Sequence, residues 1–99
     1  MNIDVKREGT SLTLAIEGEM DAISSPLVDE AVRENTEGVK SLTFDLEKVP
    51  YLTSAGIRVL ITAQKTMDRQ GEMVLVNVCE DVRDVLAMTG LLDIFTVLS

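Results

Sequence analysis

The stretch VPYLTSAGIRVLI, residues 49–61, decides how the rest of this chain is interpreted. It follows residues 41–46, where apolar residues alternate as in a β-strand, and it continues into a pattern typical of a helix. Ile57, Leu60, Ile61 and Met67 recur near helical spacing, which places the small residues 53–56 at a predicted helix N-terminus. Such a turn presents unpaired N–H groups and the positive end of the helix dipole, so it can hold a phosphate or be capped by a hydroxyl.

The hydroxyls of Thr53 and Ser54 therefore have two interpretations. In the first, one of them is an N-cap that accepts a hydrogen bond from a helix N–H and contributes about 1 kcal/mol to stability. In the second, Ser54 is exposed for chemistry or for contact with a partner. The local sequence alone favours the cap, because serine is a preferred N-cap residue in any protein.

Length and composition predict one domain, residues 1–99, with one hydrophobic core, since the chain has 99 residues of which 45% are hydrophobic. The apolar runs are far shorter than the ~20 residues that span a bilayer. The N-terminus carries no basic segment followed by an apolar one, as a signal peptide would. We therefore expect a cytoplasmic protein that does not associate with membranes.

Catalytic and metal chemistry are disfavoured by two residue counts. The chain has no histidine, which removes Ser-His-Asp and Cys-His catalysis and the commonest metal ligand. It has one cysteine, Cys79, so neither an internal disulfide nor a CxxC motif can form, and a partly buried apolar role is expected. These counts predict a protein that is not an enzyme and that uses no cofactor and no metal.

The charge balance argues against nucleic acid as a partner. Seventeen acidic residues against 9 basic ones give a net charge of -8, and aromatic residues make up only 3% of the chain. The chain has too few basic residues to neutralise nucleic-acid phosphates and too few aromatic residues to stack on bases. The acidic surface could bind a protein partner with a basic surface, or it could simply be solvated by water.

Hydrophobic periodicity predicts strands that alternate with helices. Alternating apolar residues on both sides of Gly9 indicate a β-hairpin. Residues 24–26, Ser-Ser-Pro, indicate the start of a first helix, with acidic residues 29–30 in its first turn. We expect that helix to bury an apolar face made of Leu27, Val28, Ala31 and Val32.

The second half continues the same alternation. Residues 72–78 are almost continuously apolar, which predicts a strand covered on both faces. A third helix is expected to begin at residues 80–81 and to end at 88–90, before a short turn or helical piece and a final edge strand at 95–98. Three methionines, Met20, Met73 and Met88, are expected to fill the core. The pattern predicts an α/β fold on a mixed sheet of four to five strands with three to four helices.

Three segments resemble those of the bacterial anti-sigma factor antagonists, whose fold is the STAS domain. They are Gly-Glu-Met-Asp at 18–21, Tyr-Leu-Thr-Ser-Ala-Gly-Ile at 51–57 and Met-Thr-Gly-Leu at 88–91. The resemblance covers essentially the whole chain, and the segments keep the family's order and spacing. It implies a STAS-like single domain and a protein-binding switch.

The resemblance also implies roles for particular residues. Ser54 occupies the position of the serine that the partner, an anti-sigma factor that is also a serine kinase, phosphorylates in the family, and Asp21 occupies an acidic position near it. The family usually has Asp before that serine, where this chain has Thr53. The implied partner-binding residues are Asp21, Ser24, Thr53, Ser54 and Arg58. Phosphorylation is expected to switch binding off, and a phosphatase is a further candidate partner; the oligomeric state stays open.

The sequence leaves other functions open beside this switch. A STAS module could bind a ligand or nucleotide phosphate at residues 54–57 without control by phosphorylation, although neither GxxxxGK[ST] nor GxGxxG occurs. A serine hydrolase would need the histidine and the G-x-S-x-G elbow that the chain lacks. A STAS subunit that serves a separate membrane transporter is another variant. Structural roles also stay open: Asp21 could cap the turn before the first helix, and Arg58 could be a solvated charge.

Overall fold

The computed structural model describes residues 1–98. Strands and helices alternate along them after an initial hairpin. The elements are β1 (Asn2–Glu8), β2 (Ser11–Glu17), α1 (Ser25–Asn35), β3 (Ser41–Lys48), α2 (Ser54–Asp68), β4 (Glu72–Val76), α3 (Glu80–Met88), a short 3-10 helix (Leu91–Asp93) and β5 (Thr96–Val97). The predicted α/β fold, with a five-stranded mixed sheet and three α-helices in this part of the chain, is confirmed.

The sheet has the strand order β1-β2-β3-β4-β5, which is the order of the strands in the sequence. β1 and β2 pair antiparallel through the turn at Gly9, whose positive φ of 61° suits glycine. The other neighbouring strands pair in parallel. Crossovers between parallel strands are right-handed almost without exception. Because the strands follow one another in one direction, the three crossover helices lie on the same face of the sheet.

The core lies between that face and the helices. Every second residue of β2 and β3 is buried there, and the residues between them are half-exposed on the opposite face. The buried set on these two strands is Leu12, Leu14, Ile16, Leu42, Phe44 and Leu46. The helices add to this core Val28 and Val32 from α1, Leu60 and Met67 from α2, and Val82 and Leu86 from α3.

The expectation that β4 is covered on both faces is wrong. Met73 and Leu75 are buried, whereas Val74 and Val76 are only half-buried on the open face of the sheet. The sequential strand order is the physical reason, because it leaves no helix for the second face. The strand also ends earlier than expected, at Val76, since Asn77 adopts a left-handed φ of 57°.

Two apolar residues expected in the core are exposed. Leu27 is 50% exposed because α1 points Val28 and Val32 at the sheet, and Met88 is 87% exposed at the end of α3. The acidic first turn expected for α1 is also absent, because the helix begins at Ser25 and places Asp29 one turn later. The hairpin, the start of α3, the short helical piece and the final edge strand are confirmed. So are the burial of the other two methionines and the partial burial of the cysteine.

Candidate partner-binding site

The turn between β3 and α2 presents Ser54 to solvent. Val49 and Leu52 are buried and anchor the turn in the core. Thr53 has an extended backbone with ψ of 177°, and Ser54 is the first residue of the helix. The Ile57 N–H donates the first helical hydrogen bond to the Thr53 carbonyl, 3.0 Å away. Ser54 therefore stands at the N-terminus of α2 with an exposed side chain.

The N-cap interpretation of these hydroxyls is wrong. No side-chain hydrogen bond caps α2 within residues 1–98. The Thr53 hydroxyl donates instead to the Met20 carbonyl, 3.0 Å away, and the Thr53 N–H donates to the same oxygen at 3.1 Å. Thr53 thus connects its turn to the preceding loop. The first N–H groups of α2 therefore have no side-chain cap among residues 1–98.

The loop between β2 and α1 lies directly against this turn. The Gly18 N–H donates to the Lys48 carbonyl at 3.0 Å, and the Met20 N–H donates to the Tyr51 carbonyl at 3.3 Å. A parallel bridge pairs Met20 with Leu52. The two connections therefore meet beyond the carboxyl ends of β2 and β3, where ligand and partner sites of parallel sheets usually form.

Gly56 makes this close contact possible. It is buried, and a Cβ atom at this position would lie 2.7 Å from both the Cβ and the carbonyl oxygen of Met20. Neither distance can be accommodated without a shift of the loop. The glycine is therefore needed for packing at this site, a role that the sequence pattern did not reveal.

Asp21 and Ser24 organise the β2–α1 loop. The Asp21 Oδ1 accepts hydrogen bonds from the N–H groups of Ile23 at 3.0 Å and Ser24 at 2.9 Å. The Ser24 hydroxyl accepts from the Asp21 N–H at 3.1 Å and donates to the Glu19 carbonyl at 2.6 Å. The Ser24 backbone N–H, with a further contribution from its side chain, holds the pKa of the Asp21 carboxyl below its ordinary value. Asp21 does cap this turn, as one of the structural alternatives held.

The structure brings most of the predicted residues to one end of the sheet. Asp21 and Thr53 follow the paired residues Met20 and Leu52, and Ser54 comes next. Arg58 lies one helical turn after Ser54 and is exposed. Ser24 is only 9% exposed, with its hydroxyl engaged inside the loop, so its surface is small.

Two exposed apolar residues that sequence analysis did not select stand in the same loops. Ile23 is 87% exposed in the β2–α1 loop, and Tyr51 is 48% exposed in the β3–α2 turn. Tyr51 could have been found as the aromatic residue of the central motif, whereas Ile23 belongs to no periodic pattern. We refer to Asp21, Ile23, Tyr51, Ser54 and Arg58 as the loop surface.

The described residues carry no grouping of His, Cys, Asp or Glu side chains that could hold a metal ion. Among residues 1–98, no helix combines the length and the apolar character that crossing a bilayer requires.

Comparisons with known proteins agree on one family. The family model described as the STAS domain matches residues 2–99. An anti-sigma-B factor antagonist from Listeria monocytogenes is 34% identical over 101 residues, which cover 98% of this chain and 88% of the relative. The crystal structure of an anti-sigma factor antagonist from Mycobacterium paratuberculosis superposes with a TM-score of 0.86 at 21% identity, covering 97% of this chain and 83% of that one.

A further solved structure is that of the Bacillus cell fate determinant SpoIIAA in its phosphorylated form. It has a TM-score of 0.76 at 14% identity and covers 99% of this chain and 92% of that one. The family model spans nearly all of the chain, and the TM-scores show that the solved neighbours share its overall fold. The chain therefore belongs to the STAS domain family, the family of these anti-sigma factor antagonists.

Proposed function

We propose that this protein is an anti-sigma factor antagonist that binds an anti-sigma factor through the loop surface and is switched off by phosphorylation of Ser54. The observation that carries the proposal is the position of Ser54. It is exposed at the N-terminus of α2 and directly follows Thr53, which is hydrogen-bonded to the loop that contains Asp21. A phosphate added at Ser54 would change the surface that the β2–α1 loop and the β3–α2 turn form together.

The unphosphorylated loop surface suits a protein partner. Ile23 and Tyr51 supply exposed apolar area, and side chains of this kind commonly anchor protein interfaces. Asp21 and Arg58 supply one charge of each sign beside them. The hydrogen bonds of Asp21 and Thr53 to their own backbone neighbours hold both connections in place before binding, which lowers the entropic cost of association.

Phosphorylation would act on this surface through charge. A phosphoserine adds about 1.5 to 2 negative charges at neutral pH. At the N-terminus of α2 the helix dipole would stabilise that charge in the free protein. In the complex the phosphate would have to be desolvated next to Asp21, in a chain whose net charge is already -8. The free protein is thereby favoured over the complex, with no conformational change required.

The fold of the relatives supports the same proposal. The fold neighbour SpoIIAA is known in a phosphorylated and in an unphosphorylated form, so this architecture tolerates a phosphate. The Listeria relative carries the name of an anti-sigma-B factor antagonist. A kinase activity in the anti-sigma factor and a phosphatase that reverses the modification complete the proposed cycle.

Mass spectrometry tests the modification. The purified protein is incubated with ATP, Mg²⁺ and lysate of its source cells, and the intact mass and the modified peptide are compared for wild type, Ser54→Ala and Ser11→Ala. Ser11 is an exposed serine on β2, remote from the loop surface in the sheet, and serves as the matched control. We expect one phosphate that maps to Ser54, is lost in Ser54→Ala and is retained in Ser11→Ala.

Binding of the anti-sigma factor tests the other half of the switch. We expect Ser54→Asp to weaken the affinity for the purified partner by about tenfold or more, because it introduces a charge at the interface, while Ser54→Ala binds as wild type does. A phosphate on Thr53 instead of Ser54, or no phosphate from a lysate that phosphorylates a control substrate, would refute the proposed switch. Equal affinity of Ser54→Asp and wild type would refute its charge mechanism.

A further inference from the structure

A groove between α1 and α2 lies beside the loop surface and shares Arg58 with it. Its volume is about 450 Å³. Ligand sites in proteins commonly measure about 300 to 1,000 Å³ and combine an apolar lining with a few polar groups. The apolar part of this lining comes from Ala22, Pro26, Ala55 and Val59. The α1–α2 groove thus has the size and composition of a small-molecule site.

The charges that line the groove do not balance. Asp29 and Arg33 form an ion pair of 3.0 Å along α1. Arg58 also lines the groove, from α2, and its guanidinium forms no ion pair with any residue from 1 to 98. The groove therefore carries one uncompensated positive charge in a chain of net charge -8. The Arg58 guanidinium is therefore available to pair with an anion in the groove.

A buried hydroxyl without a partner lies in the same lining. Ser25 is 2% exposed, and its Oγ has no hydrogen-bond partner within residues 1–98. Buried polar groups are nearly always paired, because a buried hydroxyl that lacks a partner costs free energy. A change of χ1 would have to turn the Ser25 hydroxyl toward the groove before it could donate to an oxygen atom of a molecule there. This observation is independent of the charge of Arg58, and both point to an oxygen-bearing anion.

We propose that the α1–α2 groove binds a small organic acid with one carboxylate and an apolar body. Arg58 pairs with the carboxylate, the Ser25 hydroxyl donates a further hydrogen bond, and the apolar body lies against Pro26 and Val59. A single negative charge is specified because one arginine is uncompensated and the Asp29 carboxylate repels a second charge. The proposal does not rest on the proposed switch, since it involves neither an anti-sigma factor nor a phosphate on Ser54.

Benzoate is a suitable probe, with benzamide as its uncharged counterpart of the same shape. The full chain, labelled with ¹⁵N, is titrated with each while amide chemical shifts are recorded. We expect benzoate to give saturable shifts at groove residues such as Ala22, Ser25 and Thr62, and benzamide to bind about tenfold more weakly. Phenyl phosphate, which carries a second charge, should also bind more weakly than benzoate.

Three variants assign the contacts. Arg58→Gln should weaken benzoate binding by about tenfold and remove the preference over benzamide, whereas Ser25→Ala should weaken it by a few fold. Arg69→Gln changes an exposed arginine at the end of α2, outside the groove, and should bind benzoate as wild type does. Ser25→Ala removes an unpaired hydroxyl, so the variant should fold.

The proposal is overturned by any of three results. These are shifts that do not saturate, shifts that are not centred on the groove, and equal binding of benzoate to Arg58→Gln and wild type. These results do not test the proposed switch. Ser54→Ala, which would abolish the switch, should leave benzoate binding intact.

Discussion

Ser24 and Ser25 are neighbours in the chain, both are buried, and their hydroxyls are in opposite situations. The Ser24 hydroxyl accepts from Asp21 and donates to Glu19, whereas the Ser25 hydroxyl has no partner among the described residues. Serine residues that follow one another before a proline look alike in the sequence. At the scale of single residues, hydrogen bonding rather than burial decides what each contributes.

The same substitution should therefore have opposite effects at the two positions. We expect Ser24→Ala to lower the free energy of unfolding by about 1 to 3 kcal/mol, because it removes two part-buried hydrogen bonds, to the Asp21 N–H and to the Glu19 carbonyl. Ser25→Ala should leave it unchanged or raise it by up to about 1 kcal/mol, since an unpaired hydroxyl is removed. Urea denaturation of both variants beside wild type measures the difference, and a comparable loss in both would contradict it.

The lowered pKa of Asp21 predicts a dependence of stability on pH. A carboxyl group whose pKa is lower in the folded than in the unfolded state stabilises the fold above its unfolded pKa, near 4, and this contribution is lost as the pH falls through the folded value. Asp21→Asn keeps the oxygen that accepts from Ile23 and Ser24 but cannot ionise. We expect the variant to be less stable than wild type at pH 7 and the gap to shrink in acid. Urea denaturation at several pH values measures it, and a gap that widens in acid would refute this assignment.

At the scale of elements, the contact between the two connections depends on α2 approaching the β2–α1 loop closely. Four features produce this contact. The Met20 carbonyl accepts two hydrogen bonds from Thr53, Met20 pairs with Leu52, and Gly56 leaves room for Met20. The loop surface is thus positioned by these contacts together with the hydrogen bonds that Asp21 and Ser24 make within the β2–α1 loop.

Gly56→Ala tests this arrangement. A Cβ atom 2.7 Å from the Met20 carbonyl must push the loop away, so we expect a loss of about 1 to 3 kcal/mol in the free energy of unfolding. Ser54→Ala, two residues earlier, changes an exposed side chain and should stay within about 0.5 kcal/mol of wild type. Thermal denaturation compares the two. A Gly56→Ala variant as stable as Ser54→Ala would show that the close approach is not required.

Sequence periodicity was sufficient to predict the strands and helices but not to predict which of their faces are covered by other elements. The alternation in β2 and β3 and the helical spacing in α2 follow from local chemistry, and they were predicted correctly. The partial exposure of Val74 and Val76 was not predicted, because it depends on the order of the strands in the sheet, and no local sequence pattern contains that order. At the site, the helix start alone favoured a cap, and the role of Ser54 was predicted from the resemblance of residues 51–57 to the family's phosphorylation loop. The contributions of Met20, Gly56 and the groove required the two loops and two helices to be placed in space.

At the scale of the whole molecule, unbalanced negative charge is the dominant electrostatic feature. The net charge is -8. The ion pairs found in residues 1–98 are Asp29 with Arg33 and Glu17 with Lys48; three of these four side chains are more than half exposed, so the pairs contribute little. Repulsion among the carboxylates therefore opposes the compact state. Salt should relieve it by screening.

We expect the melting temperature at pH 7 to rise by several degrees when the NaCl concentration increases from about 0.01 M to about 1 M, over which the Debye length falls from about 30 to about 3 Å. The rise should shrink near pH 4, where many carboxylates are protonated. Differential scanning calorimetry measures both. A melting temperature that falls with salt at pH 7 would mean that attractive pairs outweigh the repulsion.

The order of the strands also has a consequence for how the molecule is made. A ribosome releases the chain from its N-terminus, and here each new strand pairs with the strand released just before it. No strand has to be inserted later between two that are already paired. Each crossover helix has emerged by the time its two strands can pair, so it can cover their shared face at once. The sheet can therefore grow from one edge during synthesis.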